Sequence, residues 1–331
     1  MSDPLRDLST APVVVQNEMA ALRAALDAQL PPKRDVDRNI LIATWNIRSF
    51  GGLTEKWRSR ANDKPRRNWR GLHAIAEIVS RFDVVAVQEI VGNLGALRTL
   101  IKTLGPNWSF LITDVNLGDG GNNERAGFVF DQRRIQLSGL AGELSAPVDE
   151  DVLAELSPNE PFRQFARTPY AVSFRAGADT IILVTAHVRF GAASERTPEL
   201  AAIGNWMAKW AARTNRFEQN LMVLGDFNID RQGDANFEAF TASGLTVPDQ
   251  LHEVPRSIFG AGPNDRKFYD QIAWFTTGGR RRLSLELLSA GGFDFSDLLF
   301  QSAPNLTKRS MSYRVSDHLP LWAEFRGNGS A

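Results

Sequence analysis

The sequence predicts an α/β fold of the α+β type, in which two packed sheets are flanked by helices within one domain. The first observation is that apolar, strand-like runs recur along the chain, with helical patterns between some of them. The second is that strand patterns outnumber helical ones, while several connections are loops of roughly ten residues or more. The runs that predict strands are 40–44, 84–87, 128–130, 181–184, 221–224, 272–275 and 321–325.

Composition limits the class of protein. The chain has 331 residues, of which 43% are hydrophobic and 23% are charged, as is ordinary for a soluble enzyme. Its 38 basic and 38 acidic residues cancel, so bulk charge gives no support to a nucleic-acid or membrane partner. Because cysteine is absent, disulfides, thiolate metal sites and cysteine nucleophiles are excluded.

The sequence also bears on location. No apolar run approaches the roughly 20 residues that a bilayer span requires, so we expect no transmembrane segment. The N-terminus, "MSDPLRDLST", lacks the basic-then-apolar layout of a secretory signal. We therefore expect a cytoplasmic protein, and the sequence leaves its oligomeric state open.

Apolar residues occur at helical spacing in four segments of the chain. Apolar residues at helical spacing over 15–30 predict an amphipathic helix that Pro31 and Pro32 terminate. We treat 1–38 as an N-terminal helical extension, 39–326 as the main domain and 327–331 as a C-terminal tail. Further helical patterns begin at Trp69, Leu94 and Leu200.

Polar residues that can carry chemistry follow the strand patterns. A single Asn or Asp at such a position is most often a turn residue that bonds its own backbone. Here five strand ends carry such groups, which predicts one shared rim with room for a ligand. Carboxylate and amide oxygens without thiols suit Mg²⁺ or Mn²⁺ better than zinc. The residues are Asn46, Glu89, His187, Asp226 with Asn228, and Asp317 with His318.

A hard dication beside imidazoles and carboxylates suits attack of water on phosphorus. The metal neutralises charge on the phosphoryl oxygens, and histidine–carboxylate pairs move protons. The chain has no GxxxxGK[ST] loop, which disfavours nucleotide hydrolysis by a P-loop, and no GxSxG elbow for serine acyl transfer.

Seven blocks resemble, in order, those of the endonuclease/exonuclease/phosphatase superfamily. They are "ATWNIRSFGG" (43–52), "RFDVVAVQEI" (81–90), "RTPYAVSF" (167–174), "LVTAHVRFG" (183–191), "LMVLGDFNID" (221–230), "YDQIAWF" (269–275) and "SDHLPLWAEF" (316–325). Within the superfamily, "WNIRSFG", "NNERAGFVFD" and "FARTP" are most similar to the deoxyribonuclease I-like branch. The resemblance implies a four-layer α/β sandwich with mostly antiparallel sheets and Mg²⁺-dependent hydrolysis of a phosphoester.

The resemblance also implies roles for individual residues. Glu89 would be the principal metal ligand, with Asn46 beside it and Asp317 as a further acid of the metal or phosphate site. His318 would transfer protons, oriented by Asp270, and His187 paired with Glu124 would be the second acid/base residue. Asp226 and Asn228 would hold the scissile phosphate, the attacking water or a second metal. Arg167 would contact a phosphate, and Arg48 would enter a DNA minor groove.

The substrate depends on the loops. The segment "EKWRSRANDKPRRNWR" (55–70) combines basic and aromatic side chains, which predicts contacts of Trp57, Arg66 and Arg67 with nucleic acid. The alternative for this loop is a solvated surface whose tryptophans begin a core stripe. We predict a DNA endonuclease, and keep as alternatives a phosphoesterase acting on lipid or inositol phosphates, such as a sphingomyelinase-like enzyme or phosphatase, and an inactive binding module.

Three departures from the branch qualify this prediction. Val91 stands where the secreted enzymes of the branch tend to carry a basic residue that contacts the DNA groove, and the disulfide of those enzymes is missing. The N-terminal helix is not part of the shared core. We hypothesise that it contacts a regulatory partner, because a DNase retained in the cytoplasm needs restraint.

Overall fold

The computed structural model describes residues 8–60, 62–117, 121–145, 165–212, 220–260, 267–276, 283–303 and 305–327. Within these ranges the chain forms two six-stranded sheets. The strands are β1 (Ile40–Phe50), β2 (Val84–Val91), β3 (Trp108–Ile112), β4 (Glu124–Asp131), β5 (Gln136–Glu143), β6 (Tyr170–Ala176), β7 (Asp179–His187), β8 (Leu221–Asp226), β9 (Leu245–Thr246), β10 (Asp270–Phe275), β11 (Glu286–Gly292) and β12 (Leu321–Arg326). The α-helices are α1 (Val13–Gln29), α2 (Trp69–Val79), α3 (Gly95–Leu104), α4 (Ala193–Ala211), α5 (Ala235–Thr241) and α6 (Lys308–Ser312).

The sheets have similar topology. One runs in the order β11-β12-β1-β2-β4-β3 and the other in the order β5-β6-β7-β8-β10-β9. Each contains one parallel pair near its centre, β1 with β2 and β7 with β8, and its other pairs are antiparallel. Because parallel neighbours end at the same edge of a sheet, the ends of β1, β2, β7 and β8 supply the rim predicted from the sequence.

Alternating side chains of the central strands face two different cores. In β1, Ile40 and Ile42 face the core between the two sheets, whereas Leu41 and Ala43 face the helical layer. This follows from the two-residue period of a strand, and a strand buried on both faces has a continuous apolar sequence. The sandwich of two mostly antiparallel sheets flanked by helices confirms the predicted fold class.

The leading helix α1 packs on the domain. Its apolar side chains Val15, Met19, Leu22 and Leu26 are buried in the core under the first sheet. Glu18, also buried, accepts a hydrogen bond from Nε of Arg70 at the start of α2. The stripe predicted over 15–30 therefore serves contacts within the chain, and a regulatory partner would have to use the outer face of the helix.

All seven predicted strand runs lie in strands, but five strands were missed: β3, β5, β6, β9 and β11. β5 is a largely exposed edge strand interrupted by Gly139 and Gly142, so its alternation is weak. The short helices α5 and α6 were also missed, because their few residues show little periodicity. The predicted tail 327–331 lies outside the described residues except for Gly327. Among the described residues, no helix combines the length and apolar character needed for a bilayer span.

Candidate active site

The strand register gathers the predicted residues at one rim. In the second sheet Asp226 at the end of β8 lies opposite His187 of β7 on one side and opposite Asp270 of β10 on the other. Gly225, with a φ of +151°, makes this arrangement possible, since a Cβ there would lie 2.0 Å from the carbonyl oxygen of Ala186. Only glycine therefore fits directly before Asp226.

His318 forms the first histidine–carboxylate pair. Its Nδ1 lies 2.7 Å from Oδ2 of Asp270, and its Nε2 lies 3.7 Å from Oδ2 of Asp226. Burial lowers the pKa of the imidazole, but the charges of Asp270, Asp226 and Asp317 outweigh it and raise that pKa to about 10. Burial raises the pKa of Asp270 to about 6 against the opposing effect of His318. At neutral pH the pair is therefore an imidazolium beside a carboxylate.

His187 forms the second pair. Its Nδ1 lies 3.1 Å from Oε2 of Glu124, and the same oxygen lies 3.1 Å from Nε of Arg167. Although burial raises the pKa of Glu124, hydrogen bonding and charge from His187 and the charge of Arg167 hold that pKa below its usual value. Arg167 also donates to the backbone oxygens of His187 and Val188, so its guanidinium joins the pair to the chain after β7.

Asp226 lies between the two pairs. Its Oδ2 is 3.5 Å from Nε2 of His187, 3.7 Å from Nε2 of His318 and 2.9 Å from Nδ2 of Asn46. Burial raises the pKa of Asp226, but the two histidines and hydrogen bonds from Asn46 and Asn228 lower it below the usual value overall. An ionised oxygen thus faces both imidazoles.

Asn228 is oriented by hydrogen bonds within the chain. Its backbone N–H donates to Oδ1 of Asp226 at 2.9 Å, and its Nδ2 donates to the carbonyl of Val188 at 2.7 Å. Arg196 of α4, which is buried, donates to the backbone oxygen of Asn228 and to Asp230. Arg196 was not predicted, because an arginine within a helical pattern carries no signal for this contact.

Glu89 and Asn46 line a candidate metal pocket. Oε1 of Glu89 accepts from Nδ2 of Asn46 at 3.1 Å, and Oε2 accepts from the backbone N–H of Ser49 at 2.8 Å. Oδ1 of Asn46 is buried and accepts no hydrogen bond from the part of the chain that the structure describes, which is costly unless a cation or a water molecule binds it. Glu89 has a φ of +60° where the β2 register shifts, so the bulge re-aims its carboxylate. These hard oxygen donors fit Mg²⁺ or Mn²⁺.

Asp317 lies beside this pocket. Burial raises its pKa above the usual value, and Glu89 adds to the rise against the opposing charges of His318 and Arg48. Oδ2 of Asp317 accepts from Arg48 at 2.8 Å, and the Arg48 guanidinium stacks 4.1 Å from the centre of the Tyr313 ring. Arg48 therefore reaches the rim already paired with an acid.

A second group of metal-ligand type consists of Asp226, Asp270 and His318, whose ligand atoms lie within 4.8 Å of one another. Because the pKa of His318 is raised to about 10, the imidazolium holds a proton at neutral pH and already supplies the positive charge between the two carboxylates. The trio and the pair of Glu89 and Asn46 are thus two candidate places for a metal, and only the pair has no imidazolium among its members.

Ser316 positions groups on both sides of the site. Its hydroxyl donates to the backbone oxygen of Asn46 at 2.6 Å and accepts from the backbone N–H of His318 at 3.0 Å. Sequence reasoning named its neighbours and omitted Ser316, although its place directly before Asp317 was the available signal.

The arginines of the loop 55–70 that were predicted to contact substrate differ in burial. Arg66 is exposed, as expected of a contact residue. Arg67 is only 2% exposed and its guanidinium donates to four backbone oxygens, those of Arg48, Ser49, Arg314 and Val315. These bonds tie the end of β1 to the chain before β12, so we correct the predicted role of Arg67 from substrate contact to structural brace.

Trp57 is half-buried. Its ring lies 5.6 Å from the ring of Trp69 and 4.9 Å from that of His73. This packing agrees with the alternative stated for the loop, in which its tryptophans join the core, while the remaining surface of Trp57 borders a cavity described below.

Comparisons with known proteins agree with this geometry. Residues 43–318 match the model of the endonuclease/exonuclease/phosphatase family. A protein named deoxyribonuclease from Thioalkalivibrio sp. (strain K90mix) is 26% identical over 300 residues, covering 88% of this chain and 72% of the relative.

Solved structures share the fold. A mannosyl-6-phosphatase of Bacteroides thetaiotaomicron superposes with a TM-score of 0.55 at 15% identity, covering 86% of this chain and 99% of the other. D. rerio TDP2 in complex with a single-strand DNA product superposes with a TM-score of 0.55 at 13% identity, covering 87% and 98%.

Proposed function

Because the chain belongs to the endonuclease/exonuclease/phosphatase family, whose members are hydrolases acting on phosphoesters, we propose that it is a Mg²⁺-dependent phosphodiesterase that cuts DNA endonucleolytically. The single observation that carries the phosphodiester chemistry is the pair of histidines whose Nε2 atoms face one oxygen of Asp226. Two proton-transfer groups on either side of one position suit an in-line displacement at phosphorus.

The two histidines take different roles. Nδ1 of His187 lies 3.1 Å from Oε2 of Glu124, so the carboxylate orients the ring and Nε2 is the atom that takes a proton from the attacking water. His318, protonated at neutral pH, gives its Nε2 proton to the leaving oxygen. The water oxygen bonds to phosphorus as the bond to the leaving oxygen breaks, so protons balance across the step. Asp270 keeps the His318 ring oriented throughout.

Other side chains hold the phosphate. Arg167, which is already oriented by Glu124, supplies a positive charge beside His187. Asp226 holds the attacking water between the imidazoles. A Mg²⁺ ion held by Glu89 and Asn46 would neutralise charge on the phosphoryl oxygens.

DNA is the proposed substrate for two reasons. The relative from Thioalkalivibrio is named a deoxyribonuclease, and the neighbouring TDP2 structure contains a DNA product. In addition, the partly exposed Arg48 pairs with Asp317 at the rim, and Arg66 is exposed in the loop 55–70, so both guanidiniums suit a polyanion. A phosphatase is the second candidate, since the mannosyl-6-phosphatase has the same fold.

A substrate panel tests the proposal. We expect the purified protein to nick supercoiled plasmid with Mg²⁺ and to stop with EDTA, and we expect His187→Ala and His318→Ala to lose at least about 100-fold in rate. His252→Ala is the matched control, because this partly buried histidine lies outside the site, beside Gln232 and Asp249. If plasmid, single-stranded DNA and RNA all survive while phosphoinositides, sphingomyelin or mannose 6-phosphate are hydrolysed, the nuclease proposal is wrong.

A further inference from the structure

A cavity of about 370 Å³ opens beside the brace residue Arg67 and away from the histidines. Three segments form it: the start of α1, the loop 57–70 and the chain 300–314. Its lining includes three arginines, Arg58, Arg70 and Arg314, together with the side chains of Asn68 and Trp57. A volume of this size is within the range of ligand sites in proteins.

The cavity has an excess of positive charge in a chain whose net charge is zero. Arg58 is exposed and has no side-chain partner among the described residues. Burial lowers the pKa of Arg314, and the like charges of Arg66 and Arg70 lower it further. Within the described ranges, Arg70 alone of the three is paired with an acid, Glu18 of α1.

The remaining lining suits an anion with an attached ring. Arg70 stacks 4.4 Å from the centre of the Phe300 ring, which fixes one guanidinium in the wall. Asn68 caps α2, so the positive end of that helix lies at the cavity. Ser59 and Ser302 add hydroxyl donors, and Trp57 adds an aromatic surface.

One residue separates the cavity from the metal pocket. Arg67 donates to the backbone oxygen of Arg314 on the cavity side and to that of Ser49 on the other. The N–H of Ser49 in turn donates to Glu89. A polymer with a phosphate at every unit can therefore occupy both places, whereas a ligand with a single phosphate can occupy only one.

We infer that the cavity lined by Arg58, Arg70 and Arg314 is a subsite for a backbone phosphate of a nucleic-acid strand, remote from the bond that is cut. This inference rests on the proposed function and extends it to a long substrate. The three arginines lie within the matched residues 43–318, whereas Val14 of α1, which forms part of the wall, lies outside them.

Binding and turnover test the subsite separately. The probe is a 20-nucleotide single-stranded DNA with a 5′ fluorescein, bound in EDTA and followed by anisotropy at several salt concentrations. We expect Arg58→Ala and Arg314→Gln each to weaken binding about 5-fold or more and to reduce the salt slope by about one. In Mg²⁺, the ratio of kcat/KM on the oligonucleotide to that on bis(p-nitrophenyl) phosphate should fall by a similar factor.

Arg175→Glu is the control, because this exposed arginine lies near the end of β6, at the opposite edge of the sheet from the rim. The Arg175→Glu variant should bind the oligonucleotide as the wild type does. A wild-type affinity and salt slope in both cavity variants overturns the inference, as does a wild-type protein that does not bind the oligonucleotide. Binding that depends on the two arginines without any DNA cleavage would refute the proposed function and keep the subsite. DNA cleavage together with binding that does not change in the two arginine variants would refute the subsite and keep the proposed function.

Discussion

The Nε2 atoms of His187 and His318 face the same oxygen, Oδ2 of Asp226, at 3.5 and 3.7 Å. Each histidine has its own carboxylate behind it, Glu124 for the first and Asp270 for the second. The two pairs come from β4, β7, β10 and the chain before β12, so both sheets must be assembled before either pair can act on a phosphate.

Asp270→Asn removes the charge behind His318. The pKa of His318 should fall from about 10, because Asp270 is the largest of the charges that raise it. The proton donor is then lost at lower pH, so the basic limb of the kcat/KM profile moves to lower pH and the rate falls about 100-fold or more near neutral pH. An unchanged basic limb, measured by pH–rate profiles with and without the substitution, would refute the assignment of His318 as the acid.

Asn46→Ala removes the unpartnered amide oxygen beside Glu89. We expect the Mg²⁺ concentration for half-maximal activity to rise about 10-fold to 100-fold, because one oxygen donor is lost from the pocket. Titration calorimetry with Mg²⁺ gives the same comparison without turnover. Asn107→Ala, an exposed asparagine in the turn before β3, is the control that should leave both values unchanged.

Glu199→Gln tests a buried acid of α4 that the mechanism does not use. Burial raises the pKa of Glu199 to about 7 in the folded protein, whereas its ordinary value is 4.5. Below pH 4.5 the acid is protonated whether the chain is folded or not, so folding carries no penalty. Between pH 4.5 and 7 the unfolded chain loses this proton while the folded chain keeps it, so stability falls over that interval, and above pH 7 the folded protein holds a buried charge.

The amide variant lacks that charge. We expect Glu199→Gln to unfold at a temperature several degrees above the wild type at pH 8 and at the same temperature near pH 4, for a difference on the order of 3 kcal/mol at most. Glu195→Gln, on the exposed side of the same helix, is the control, and its melting temperature should differ from that of the wild type by the same small amount at both pH values. A lower melting temperature for Glu199→Gln at pH 8 would show that the ionised carboxylate stabilises the fold.

Leu22→Ala tests whether α1 belongs to the folding unit. Leu22 is completely buried in the core under the first sheet, so the substitution should lower the free energy of unfolding by about 2 to 5 kcal/mol in urea titrations. Val13→Ala, at a position 69% exposed, should cost far less. Equal stability of both variants would show that α1 is a detachable extension, as its absence from the family core suggests.

Much of the fold was predictable because central strands are buried on both faces. β1, β2, β7, β8 and β10 are nearly continuous apolar runs, and each was predicted. β5 and β11 were not, since edge strands need few apolar side chains. The site residues were predictable for a related reason: polar groups stand out where an apolar run stops.

The sequence by itself determined the family, the central strands and the identity of the polar groups at their ends, since these depend on local patterning and ordered motifs. Only the tertiary structure decided how those groups pair. Strand register placed Asp226 between His187 and Asp270, and sheet packing brought Asn46 to the same carboxylate. The tertiary structure also buries Arg67 and places Arg58 and Arg314 in the lining of one cavity. Burial and proximity of this kind depend on contacts between segments far apart along the chain.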